Sequence, residues 1–157
     1  MDCRVTSLTV DQTHELGKKL SECLLGGDVV ALTGDLGAGK TAFAQGIGKG
    51  LGVVGPMTSP TFTLIHEYES HIKGTKIRLI HMDLYRLRRP EEAEVIGIED
   101  AFVEDAICLI EWPEIAEDYL PDDCLNVEIH GSGEMPREII FHAKDSSWEQ
   151  RLEFLFK

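Results

Sequence analysis

Positive charge is scarce in this chain. Its 157 residues hold 15 Lys and Arg against 28 Asp and Glu, a formal net charge of −13. A broad nucleic-acid-binding surface needs the reverse balance, and so does docking on anionic lipid. A basic partner fits this composition; so does charge kept for solubility alone. Cysteine is scarce as well. Cys3, Cys23, Cys108 and Cys124 stand far apart, form no C-x-x-C, and have no His at zinc-finger spacing. A reducing, cytoplasmic compartment is expected, with Cys23 and Cys108 as small core residues. No apolar run approaches membrane-spanning length, the first residues lack a charged-then-apolar signal pattern, and no repeat or low-complexity tract stands out. H-x-x-x-H, G-x-S-x-G and Asn-Lys-x-Asp are all missing. Those gaps set aside zinc proteases, elbow-type serine hydrolases and the guanine reader of regulatory GTPases.

What is present is a phosphate cradle. Gly34-Asp35-Leu36-Gly37-Ala38-Gly39-Lys40-Thr41 fits G-x-x-x-x-G-K-[ST]. Glycines let backbone N–H groups close around phosphate oxygens, where a Cβ would hold the chain off or forbid positive φ. Lys40 would carry a compact charge to the β- and γ-phosphates. Thr41 would offer its hydroxyl to Mg2+, which keeps much of its water and takes few protein ligands. The flanks agree with the motif: residues 28–33 read as a short buried strand and residues 41–47 as the first turns of a helix, so a helix N-terminus points at the anion.

Around this unit the chain reads as α/β. Residues 4–8 form a short strand. Thr9 then caps an amphipathic helix over residues 10–25, with Gln12 completing a capping box and Gly26-Gly27 ending it. Asp11 sits in that first turn, either as part of the cap alone or near the nucleotide's base or ribose. Past the P-loop helix, Ser59-Pro60-Thr61 is either an ordinary loop or a nucleotide-sensing switch. Residues 63–69 and 76–81 are expected to pair as a hairpin through the polar linker 70–75. The second strand ends at Asp83, where a Walker-B-type carboxylate belongs and where a turn-forming Asp is also common. Arg86, Arg88 and Arg89 are the only basic cluster, either a solvated loop or a phosphate- or partner-contacting one. Pro90 and the acids after it open a short helix.

Residues 106–110 form a continuous apolar run, the profile of a buried parallel strand, and end at Glu111. Glu111 is thus a second strand-end acid, competing with Asp83 for Mg2+ or for a catalytic water. Trp112 is read as packing the core or lying against the site, with the core preferred. Residues 125–130 and 137–143 alternate as antiparallel strands with one wet face, so His130 and His142 fill a strand pattern rather than bind a ligand. A last helix starts near Asp145 and turns Leu152 with Leu155 or Phe156 inward. The expected fold is a single-domain P-loop NTPase sheet over residues 1–157, with a parallel centre, antiparallel additions and helices on both faces. The composition and motifs leave three functions open: a partner-activated ATPase, a small-molecule kinase with the arginine cluster as lid, and a nucleotide sensor without useful hydrolysis.

Four blocks in order carry a resemblance: the P-loop, Ser59-Pro60-Thr61-Phe62, His81-Met82-Asp83-Leu84-Tyr85-Arg86, and Ile110-Glu111-Trp112-Pro113. Together they resemble the bacterial TsaE (YjeE) ATPases, which serve the threonylcarbamoyl modification of adenosine beside the tRNA anticodon. The P-loop alone does not mark the family; H-x-D-x-Y-R and E-W-P in this order do. The resemblance implies that Leu36, Gly37, Ala38, Gly39, Lys40 and Thr41 hold the phosphates of ATP or ADP. It implies that Thr41 and Glu111 bind Mg2+, with Asp83 in the same metal or water network, and that Lys40, Glu111 and Asp83 carry the chemistry. Ser59 to Thr61 match a switch-like loop, and Trp112 would lie near the site. Asp11 and Arg137 match more loosely as nucleotide contacts. Ala42 departs from the pattern, where relatives often have a second threonine. The implied role is weak ATP hydrolysis acting on the partners TsaD and TsaB, with tRNA held by those partners and the membrane not involved.

Overall fold

A computed structural model describes residues 1–35, 37–58, 60, 64–131, 133–134 and 136–156. The strands are β1 (Asp2–Ser7), β2 (Val29–Thr33), β3 (Ile65–Ile72), β4 (Thr75–Asp83), β5 (Ala106–Glu111), β6 (Leu125–His130) and β7 (Arg137–His142). They form one sheet in the order β1-β7-β6-β2-β5-β4-β3. β2 runs parallel to both β5 and β6, and β5 runs parallel to β4. β3 is antiparallel to β4, and β7 is antiparallel to β1 and β6. The expected parallel centre with antiparallel additions is therefore the observed fold.

Among the described residues four α-helices, α1 (Val10–Ser21), α2 (Lys40–Gly50), α3 (Pro90–Val95) and α4 (Ser146–Phe156), cover the sheet. On one face Leu20 of α1, Phe43 and Ile47 of α2, and Leu152 of α4 meet Val30, Leu109, Val127 and Phe141 of the strands. On the other face Ala93 of α3, Ile98, Ala101 and Ala116 pack on Ile80, Met82, Cys108 and Ile110. β5 is buried at every position, as a strand covered on both sides must be. β6 alternates between buried and partly exposed residues until His130, because only one of its faces is covered.

Local chemistry explains where the elements begin and end. Thr9 Oγ1 accepts from Gln12 N at 3.1 Å, the forward half of the expected box, but Gln12 Oε1 reaches past Thr9 and accepts from Leu8 N at 2.7 Å, one residue before the cap. α1 stops at Ser21 rather than reaching residue 25. There the backbone tightens, with Glu22, Cys23 and Leu24 each donating three residues back, to Lys19, Leu20 and Ser21. The hairpin also differs from expectation. Residues 70–72 and 75 are strand, and the connection is only Lys73-Gly74, both at positive φ (50° and 81°). Two left-handed residues match the twist of the flanking strands, which a six-residue polar linker had concealed. Asp145 Oδ1 accepts from Trp148 N at 2.9 Å and starts α4.

Candidate functional site

β2 points into the P-loop and α2 leaves it. Gly39 is the N-cap of α2 with φ +112°, a conformation that costs an L side chain and that glycine adopts freely. Gly34 is needed for a second reason: a Cβ there would lie 2.3 Å from Ile129 O of β6. Among the described residues no side chain caps α2, since its N-cap is a glycine. Its first-turn N–H groups are thus left to an outside acceptor, and the helix dipole favours an anion there.

A cleft of about 240 Å³ opens at this turn, lined by residues 37–41 and by Asp83, Glu111 and Trp112. The two acids arrive on neighbouring parallel strands, where Asp83 of β4 is the register partner of Glu111 of β5. Side chains alternate along a strand, so both follow the columns of Leu79 and of Ile107 and Leu109, which face the helix α2 side. Asp83 Oδ1 also accepts from Tyr85 N at 3.0 Å, an Asx-type turn that steers the chain away after β4. Its expected turn-forming role and its place beside the P-loop therefore coexist.

Lys40 is only 5 % exposed. Its ammonium donates to Gly34 O and, at 3.2 Å, to Asp35 O, and it stands 3.9 Å from the Trp112 ring centre. Burial pushes its pKa below the ordinary lysine value, against the opposing pull of Glu111, Asp83, Glu114 and Asp35. Trp112 adopts φ +55°, and its ring centre lies 4.9 Å from that of Tyr85 with the two planes tilted by 50°. The preference for a core role is corrected: Trp112 lies partly exposed against the cleft, because the left-handed backbone after β5 turns its ring over Lys40 instead of inward.

Glu111 is 3 % exposed, and its Oε2 is 2.6 Å from Nε2 of His81, itself 1 % exposed. His81 lies two residues before Asp83 and hence on the same strand face. That spacing was visible beforehand, but its partner was not. Among the described residues no three His, Cys, Asp or Glu side chains converge as a metal site. The hydroxyl of Thr41 with the carboxylates of Asp83 and Glu111 is nevertheless a hard-oxygen donor set of the sparse kind that suits Mg2+.

Two expected nucleotide contacts lie apart from the cleft lining. Asp11 is exposed in the first turn of α1. That helix packs on α2 through close backbone approach: a Cβ on Gly46 would meet His14 O at 2.1 Å. Arg137 is 7 % exposed and spends its guanidinium on backbone. Nε donates to Ala38 O at 2.9 Å and Nη2 to Gly37 O at 3.3 Å, both carbonyls of the P-loop. Further donations reach Gly133 O, Glu134 O and Pro136 O. Arg86, Arg88 and Arg89 are exposed and do not line the cleft. Leu36, Ser59 and Thr61 lie outside the described residues.

Comparison with known proteins bears on this arrangement. The family model described as "Threonylcarbamoyl adenosine biosynthesis protein TsaE" matches residues 7–139. A Bacillus subtilis protein named "tRNA threonylcarbamoyladenosine biosynthesis protein TsaE" is 38% identical over 145 residues, 92% of this chain and 88% of its own length. A Haemophilus influenzae protein of the same name is 43% identical over 140 residues, 79% of this chain and 86% of its own length. The crystal structure of Bacillus subtilis YdiB superposes with a TM-score of 0.80 at 33% identity, covering 99% of this chain and 94% of that one.

Proposed function

The chain belongs to the TsaE family, and from that premise we propose that it is a Mg2+-dependent ATPase of tRNA threonylcarbamoyladenosine biosynthesis. Its place in that biosynthesis follows from the family; hydrolysis and its partners are our reading. One observation carries the reading: an uncapped helix N-terminus, a buried lysine and two strand-end carboxylates meet in one cleft.

The residues divide the work by their chemistry. Backbone N–H groups of residues 37–41 hold the β-phosphate region of ATP or ADP, and Lys40 leaves its carbonyl acceptors to sit between β- and γ-oxygens. Thr41, Glu111 and Asp83 would hold Mg2+, which supplies further charge neutralisation on the phosphates. Of the two acids, one orients the attacking water and accepts its proton as the water oxygen bonds to the γ-phosphorus. The bond from that phosphorus to the β–γ bridging oxygen breaks, and ADP leaves with that electron pair. Arg137 acts on the nucleotide indirectly, by fixing the carbonyl side of the loop whose N–H groups face phosphate. Asp11, exposed in the first turn of α1, is the candidate of its segment for the ribose or base; Thr13 of the same turn faces the loop, since a Cβ on Gly39 would lie 3.9 Å from Thr13 Cγ2.

The acidic composition favours a protein that reaches tRNA through partners. Those partners are TsaD and TsaB, in the cytoplasm, with residues 1–157 acting as one ATPase domain. The deciding experiment measures ATP hydrolysis by the purified chain alone and with the TsaD–TsaB pair. Stimulation by the pair that disappears in Lys40→Ala supports the proposal. Absence of both binding to the pair and any effect on repeated tRNA modification overturns it.

A further inference from the structure

The inward-facing column of β4 is Ile77, Leu79, His81 and Asp83, and that of β5 is Ile107, Leu109 and Glu111. Below the cleft every member but one is aliphatic. His81 stands opposite Leu109 in the register, one rung deeper than Asp83. An imidazole in this layer gives up its water, and burial of a polar group is unfavourable unless a partner compensates it. Buried polar pairs are seldom more stabilising than a well-packed aliphatic pair of equal volume. Two aliphatic side chains, one at position 81 and one at position 111, would therefore serve the core at least as well.

The imidazole reaches diagonally across the two strands. His81 Nε2 meets Glu111 Oε2 at 2.6 Å, within a pair that is 1 % and 3 % exposed. A carboxylate only accepts, so the hydrogen belongs to Nε2. Nδ1 is buried and has no hydrogen-bond partner among the described residues. The ring is thus held to the sheet by one polar contact, and that contact is with the acid at the end of β5. One carboxylate oxygen is taken by His81, which stops rotation about the last side-chain bond of Glu111. The other oxygen is the one left for the cleft.

We propose that His81 is a positioning residue that locks the carboxylate of Glu111, so that a single oxygen of Glu111 is presented to Mg2+ or to the attacking water. This rests on the ATPase reading above. The device suits the site because Asp83 stands on the same rung of the neighbouring strand with the same charge. Two like charges on neighbouring strands repel, and an untethered Glu111 would turn away from Asp83. Partners that orient a metal-binding or catalytic group in this way are typically worth about 10- to 100-fold in affinity or rate.

The test compares His81→Leu with His81→Gln in the purified full chain. Gln places an amide N–H where Nε2 stands; Leu places none. ADP affinity is measured by calorimetry with and without Mg2+, and ATP hydrolysis at saturating substrate. For His81→Leu the expected result is an unchanged metal-free ADP affinity, loss of about 10-fold of the affinity gained on adding Mg2+, and a kcat about 10- to 100-fold lower. His81→Gln should recover most of both losses. In a Glu111→Gln background, His81→Leu should add less than about 2-fold, because its effect passes through that carboxylate. Equal behaviour of the two variants, or full additivity with Glu111→Gln, would overturn the positioning role while leaving the ATPase reading intact. A wild-type chain that neither binds ADP nor hydrolyses ATP would remove the ATPase reading and this proposal together. A drop in metal-free ADP affinity for His81→Leu would mark a folding role and also overturn the proposal.

Discussion

The centre of the sheet and its β1-β7-β6 wing both pair histidine with carboxylate, in opposite surroundings. In the centre, His81 and Glu111 meet at 2.6 Å with almost no exposure. In the wing, His142 lies 2.7 Å from Asp2 and 3.0 Å from Glu128, and His130 lies 2.9 Å from Glu128, all with solvent access. The difference follows from coverage. β4 and β5 have helices on both sides, whereas the wing has α1, α2 and α4 on one side and a polar face on the other. An exposed ion pair is worth roughly 0–1 kcal/mol because water competes for both partners. A buried pair has no such competitor, so removing one member leaves the other unsatisfied at a cost of several kcal/mol. The same chemical pair thus sets geometry in the centre and only trims stability in the wing.

The sharpest break of that contrast would be Lys40→Ala. Losing the one buried ammonium of the cleft should lower ATP hydrolysis by about 100-fold or more, read by steady-state phosphate release. Retained activity would show that the centre's charges are not the working ones. Next is Glu111→Gln, for which kcat should fall about 100-fold or more while ADP affinity without metal stays within a few-fold. An unchanged kcat would place the burden on Asp83.

Arg137→Lys tests whether the wing reaches the centre. Arg137 belongs to β7, yet it donates to Ala38 O and Gly37 O of the P-loop. Lysine keeps the charge but cannot span five carbonyls in one plane. Two or more lost hydrogen bonds should cost about 2–3 kcal/mol, a Tm drop of about 4–12 °C for a chain of this size. ATP affinity should fall with it. A normal Tm with normal affinity would cut the link between wing and loop.

The smallest effect is expected from Glu128→Gln. The hydrogen bond to His130 and the charge of His142 hold the Glu128 carboxyl below its ordinary pKa. Its contribution is therefore present above the unfolded-state value near 4.5 and is lost as pH falls through the lowered folded value. With both partners part-exposed, the variant should lose no more than about 0.5 kcal/mol at pH 7, and the difference in Tm from wild type should vanish near pH 3. A loss of several kcal/mol would mean that the wing pair is as sheltered as the central one.

Much of this contrast was legible in advance. The apolar run ending at Glu111 identified a buried strand, and the alternation of residues 125–130 identified a strand with one wet face; β7 alternates less cleanly, because Ile140 is buried on the face it shares with Glu138 and His142. The P-loop turn, the cap at Thr9 and the strand-end positions of Asp83 and Glu111 were equally local. Trp112 was misplaced because its direction depends on a left-handed backbone that no periodicity encodes. The end of α1 was missed because Cys23 and Leu24 continue an apolar spacing after the helix has tightened into a turn.

By itself the sequence determined the elements and the phosphate turn, because caps, glycines and side-chain alternation act over a few residues. The four ordered motif blocks determined the family in the same local way. Only the tertiary structure decided which strands are neighbours. β4 beside β5 puts Asp83 against Glu111 and ties Glu111 to His81, 30 residues away. β7 beside β6 brings Arg137 to a P-loop carbonyl 99 residues distant. Such contacts follow from burying two faces of one sheet at once, a condition on the whole chain that no short stretch of it expresses.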